Sequence, residues 1–180
     1  MKLINDNLKK TGIFNSVLIV AAIILRVINI ANSPIPMMID SAVCVLALVF
    51  GFLYFLNGYK KEAAKYYKIF MCLYAVGSLI SFAAPLISFG LGNYNLENVI
   101  NFTVFVCACL LAFVSDFGKN NSNTTICIVL VLTGIKLIND LLNGTIVNVH
   151  FASFSNFVQA VIACTLVSHK YIDKESRGAK

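Results

Sequence analysis

Met37–Leu56 reads MMIDSAVCVLALVFGFLYFL, twenty residues whose single charge, Asp40, lies near the start. A helix of that length rises about 30 Å, the thickness of the hydrocarbon core of a bilayer. A membrane β-strand would instead alternate apolar and polar residues over about ten positions, and this stretch does not. It predicts a transmembrane helix.

Five further blocks of the same kind flank it: Gly12–Ile30, Tyr66–Ser88, Asn95–Val114, Thr125–Leu142 and Val149–Ser168. Polar or helix-breaking residues separate them, among them Pro34 and Pro36, Asn57-Gly58, Gly90 to Asn93, Asp116 to Thr124 and Asn143-Gly144. The whole chain is 59% hydrophobic and 12% charged, where a soluble domain is about half apolar and a quarter charged. The expected fold is all-α: residues 1–180 form a single transmembrane domain of six helices in three hairpins, with a short basic tail from 169 to 180. Pro85 predicts a kink late in the third helix.

Charge sets the orientation. Lys2, Lys9 and Lys10 precede the first helix, Lys60, Lys61, Lys65 and Lys68 flank the second loop, and Lys119 sits in the fourth. Lys170, Lys174, Arg177 and Lys180 follow the last helix, while the first, third and fifth loops carry no Lys or Arg. The positive-inside rule then places both termini in the cytoplasm, and the plasma membrane is the expected location. The same rule accounts for the net charge of +6, so nucleic acid is not an expected partner. The first apolar block contains Arg26 and no small-x-small cleavage site, so it reads as a retained helix rather than a signal peptide.

The six cysteines, Cys44, Cys72, Cys107, Cys109, Cys127 and Cys164, all lie inside apolar blocks without CxxC spacing. They read as small core residues, and no disulfide, metal site or cofactor is expected. Three Asn-x-Thr triplets, at Asn101, Asn123 and Asn143, match the glycosylation pattern, which arises readily by chance in an Asn-rich chain. His150 reads as an interfacial residue and His169 as part of the basic tail.

A period near 55 residues runs through the chain. Ile24-Leu25-Arg26-Val27-Ile28-Asn29 aligns with Gly134-Ile135-Lys136-Leu137-Ile138-Asn139, and the middle unit has Ser81 where the others have a cation. An even loop spacing in any six-helix protein would produce part of this pattern.

On five of the six helices, all but the third, polar residues concentrate in the half away from the basic loops. A charge at mid-membrane costs about 2.5–3.5 kcal/mol, so Arg26 and Lys136 are the first candidates for function. Thr133, Lys136, Asn139, Asp140 and Asn143 draw a polar stripe along the fifth helix, in which Lys136 and Asp140 are four apart and within pairing distance. Glu97 and Asn101 begin the fourth helix, Ser153, Asn156 and Gln159 the sixth, and Asp40 and Ser41 the second. The candidate substrate-binding set is Lys136, Asp140, Asn139, Arg26, Glu97, Asn101, Asn156 and Gln159, arranged around an outward-open vestibule between helices 1, 4, 5 and 6.

Six helices, inward termini and outer-half polarity are similar in plan to the substrate-binding components of vitamin and metal uptake systems. That resemblance implies capture of a small polar or anionic solute with Arg26 and Lys136 as contacts, and docking to a partner membrane subunit. The first helix has Ala21-Ala22 rather than the Ala-xxx-Ala pair of those families. The alternative is a non-catalytic assembly, immunity or scaffolding subunit whose polar stripe contacts partner helices. An intramembrane enzyme is the least favoured class, because no nucleophile is spaced beside a base.

Overall fold

Each apolar block forms a helix, since backbone groups in an apolar stretch satisfy their hydrogen bonds most economically within the segment. The computed structural model describes residues 2–30, 35–56, 63–89, 96–114, 118–143 and 147–178. The helices are α1 (Lys2–Ile30), α2 (Ile35–Leu56), α3 (Ala63–Phe89), α4 (Leu96–Phe113), α5 (Lys119–Leu142) and α6 (Val147–Gly178), and the described residues include no strand. All six are long and apolar enough to cross a membrane. Residues 31–34, 57–62, 90–95, 115–117 and 144–146, on which the loop assignments rest, lie outside the described residues, as do the side chains of Asn29 and His150.

Two boundaries differ from the sequence expectation. α1 begins at Lys2 and α6 continues to Gly178, through most of the segment read as a tail. Charged residues end a membrane span, but they do not end a helix, whose backbone bonds are indifferent to the solvent outside. α3 likewise continues past Pro85 to Phe89.

The helices pack in a ring in chain order, closed by α6 against α1, and α6 also reaches across to α2 and α3. The least extensive of the six neighbour interfaces is that between α4 and α5. Small side chains let α6 sit deep: Ala160 and Ala163 are fully buried, and Ser155 with them. Gly51 on α2 faces Ile162 and Phe70, and a Cβ there would stand 3.1 Å from the Ile162 Cγ2.

The bundle is apolar on its outer surface as well as in its core, and its buried residues include polar and charged ones. On α1, Asn15, Ile19, Ala22 and Arg26 face inward at helical spacing, whereas Ile13, Val17, Val20, Ile24 and Val27 are exposed. Asn15 uses its inward position to donate to Thr165 Oγ1 on α6 at 3.1 Å. A water-soluble protein would bury the second set, and would not sink Asn15 and Arg26 beneath an exposed apolar face. With six such helices the chain has the build of a multi-pass membrane protein.

Candidate functional site

The helix ends nearest Lys65, Lys68, Lys119 and Lys170 form the basic end of the bundle, and the polar residues gather toward the other end. A core of Leu48, Phe70, Met71, Ala108, Ile162 and Leu166, all at most lightly exposed, separates the two. At the basic end His169, expected to be incidental, is buried and packs against Tyr54 and Phe55, with ring centroids 6.2 and 6.1 Å away.

In the polar half, every neighbouring pair of helices is joined by a side-chain polar contact. Arg26 Nη1 on α1 donates to Asp40 Oδ2 on α2 at 3.1 Å and to Ser41 Oγ at 3.3 Å. Ser81 on α3 donates to the other oxygen of Asp40 at 2.8 Å. Asn101 on α4 donates its amide to the Ser81 carbonyl at 3.2 Å. Lys136 Nζ on α5 meets Glu97 Oε1 on α4 at 2.6 Å. Ser153 on α6 donates to Asp140 Oδ2 on α5, and Arg26 Nη2 closes the circuit by donating to Asn156 Oδ1 on α6. The result is a closed polar belt. Positions 26, 81 and 136, 55 apart in sequence, are all members.

Inside the belt is a cavity of about 20 Å³, room for one water molecule or two. Asp40 and Cys44 line it from α2, and Tyr74, Gly77, Ser78 and Ser81 from α3. Asn101 and Val104 of α4, Thr133 and Lys136 of α5, and Asn156 and Gln159 of α6 complete the wall. Gln159 spends one amide hydrogen on the Cys44 carbonyl at 3.3 Å. The Tyr74 hydroxyl is buried without a hydrogen-bond partner among the described residues.

No family model, curated protein or solved structure matches the chain.

Of the eight candidate residues, Lys136, Asn101, Asn156 and Gln159 line the cavity. Glu97 stands at its edge, almost half exposed, as the partner of Lys136. Arg26 is fully buried behind the wall, in the belt. Asp140 is buried but belongs to the belt through Ser153, and the ion pair of Lys136 goes to Glu97 rather than to Asp140. Asn139 faces away from the bundle, exposed and accepting from Asn143 at 3.0 Å. The α5 stripe is thus narrower than its spacing implies: Thr133, Lys136 and Asp140 turn inward, whereas Asn139, about 60° farther round than Lys136, and Asn143, the residue that caps the helix, are exposed. In place of the expected vestibule between helices 1, 4, 5 and 6 there is a small cavity walled by α2 to α6.

Several contributors lie outside the candidate set, among them Asp40, Thr133, Ser81 and Tyr74. Asp40 and Thr133 were visible as polar residues in the right half of their helices. Ser81 was visible only as the odd member of the repeat. Tyr74 gave no signal, since a tyrosine in an apolar helix is unremarkable until its hydroxyl is found buried. Among the described residues, no cluster of three or more His, Cys, Asp or Glu is placed to hold a metal.

Proposed function

We propose that this protein captures or transports a small polar solute across the plasma membrane, with both termini cytoplasmic and the polar half of the bundle facing outward. The observation that carries the proposal is the cavity: ten of its twelve lining residues are polar, counting Cys44 and Tyr74, and they come from five helices. Polar groups at that depth are costly unless they are satisfied by one another, by water or by a ligand. Here the belt satisfies one set, and the cavity groups retain capacity facing inward. At about 20 Å³ the cavity is the closed form of such a site. Opening falls to the α4–α5 seam, the least extensive interface in the ring, where Lys136 and Glu97 form the cross-link.

The test is a melting-temperature screen of the purified protein in detergent against small solutes at millimolar concentration. A true ligand raises the melting temperature of the parent and not of Asn156→Leu or Gln159→Leu. If nothing in the screen stabilises the parent, and cysteines placed at Asn101, Thr133 and Asn156 never react with a water-soluble maleimide, the capture role is wrong.

One observation favours a second role. The belt spans all six helix seams without outside help, which is what a non-catalytic assembly or scaffolding subunit would need for its own rigidity. Blocked cysteines at all three positions, together with stable co-purification of one membrane partner, is the result that role requires.

A further inference from the structure

We infer that the cavity is matched to an uncharged polar solute offering both hydrogen-bond donors and acceptors, a carboxamide or polyol rather than an anion; this rests on the capture role proposed above.

The charges around the cavity argue for it first. Arg26 and Lys136, the two cations that would attract an anion, are each held by a carboxylate of the same chain, Asp40 at 3.1 Å and Glu97 at 2.6 Å. An anionic solute would have to compete with those carboxylates, and Asp140 adds a third carboxyl group on the same side of the bundle. The wall itself carries one charge of each sign, so an anionic solute meets the Asp40 carboxylate and a cationic solute the Lys136 ammonium. At a few ångströms in a poorly solvated site, either like-charge encounter is strongly unfavourable. A neutral solute meets neither obstacle.

The hydrogen-bond inventory argues for it second. Asn156 gives its carbonyl to Arg26, which leaves its amide hydrogens for a ligand. Asn101 and Gln159 each spend an amide hydrogen on a backbone carbonyl, which leaves their side-chain carbonyls as acceptors. The buried Tyr74 hydroxyl is a further group without a partner among the described residues, and such a group is costly to leave unmade. Donors and acceptors therefore face one space with no net charge between them. Carboxamide and hydroxyl groups complement that mixture, whereas a carboxylate or phosphate would use only the donors.

Cys44, which lines the cavity, is a native reporter. In a chain with the other five cysteines replaced by alanine, purified in detergent, its modification is followed with three methanethiosulfonates of similar size: hydroxyethyl (uncharged), sulfonatoethyl (anionic) and trimethylammonioethyl (cationic). Rates are divided by those of each reagent with glutathione. The uncharged reagent should lead both others by about tenfold or more, the scale of a like charge held close by. Glu97→Gln should shift the preference toward the anionic reagent, and Lys136→Met toward the cationic one. If a charged reagent leads in the otherwise unaltered chain, the uncharged class is overturned while the capture role stands. If none of the three reaches Cys44 over hours, yet all modify it once the protein is unfolded in dodecyl sulfate, the cavity never opens and both proposals fall.

Discussion

Lys136 and Glu97 form an unequal pair: their charges meet at 2.6 Å, but the lysine side chain is 10% exposed and the glutamate 46%. Removing one partner therefore differs from removing the other. Lys136→Met leaves a carboxylate that can still be hydrated, and should cost within about 1 kcal/mol. Glu97→Gln strands an ammonium in the wall of the cavity, and should cost about 1–3 kcal/mol, less than the loss of a partner in a fully buried pair. Combining the two substitutions should recover most of the Glu97→Gln loss. Melting temperatures in detergent give the cycle, and a larger loss for Lys136→Met than for Glu97→Gln would contradict the assignment.

The same geometry predicts where coupling is weaker. Lys136 and Asp140 are four apart on α5, yet Asp140 is held by Ser153. Lys136→Met and Asp140→Leu should therefore couple more weakly than Lys136→Met and Glu97→Gln, which remove the two halves of one ion pair. A large coupling would mean that the lysine pairs along α5 rather than across to α4.

The sequence carried the helices and about half of the site, and the division has a physical basis. Twenty apolar residues can satisfy their backbone in lipid in one way only, so Met37–Leu56 announces α2. Charge in an apolar block is equally legible, and Arg26 and Lys136 both belong to the belt. What a charge pairs with depends on which helices are neighbours, and spacing along one helix could only offer Asp140. Hydroxyls are less legible still. Ser78 satisfies itself on the Tyr74 carbonyl at 2.9 Å, while Ser81, three residues on, bridges to Asp40. Nothing in the local sequence separates the two.

Two glycines should respond in opposite directions to alanine. At Gly51 a new Cβ lies 3.1 Å from Ile162 and 3.3 Å from the Phe70 ring, so the α2–α6 contact must spread, at a cost of about 1–3 kcal/mol. At Gly77 the nearest side-chain atom is Val43 Cγ1 at 3.6 Å, an ordinary contact. Gly77→Ala should be neutral or stabilising by up to about 1 kcal/mol through helix propensity. Its methyl group would also take space at the cavity wall, so the solute that stabilises the parent should stabilise this variant less. Equal melting temperatures for Gly51→Ala and the parent would show that α6 is not so closely seated on α2.

Arg26 is the residue on which the belt depends most. Its guanidinium is 1% exposed and serves Asp40 and Ser41 on α2 through one nitrogen and Asn156 on α6 through the other. A planar fork can hold two helices at once in this way, whereas an ammonium is a single point of charge. Arg26→Lys should therefore keep the charge and still lose stability, because one of the two helices is released. Asp40→Asn should be worse. It removes the counter-charge of a fully buried cation, which costs about 3–5 kcal/mol, and it weakens the acceptor of Ser81. Arg26→Met with Asp40→Leu removes the whole ion pair, so it should be more stable than Asp40→Asn alone. Ser81 and Asn156 would then lack a partner, so the double variant should not regain the parent's melting temperature. The ordering expected in detergent melting is parent, then Arg26→Lys, then the double variant, then Asp40→Asn. An Arg26→Lys protein as stable as the parent would show that charge alone, and not the two-pronged reach of arginine from α1 to α2 and α6, holds this side of the ring.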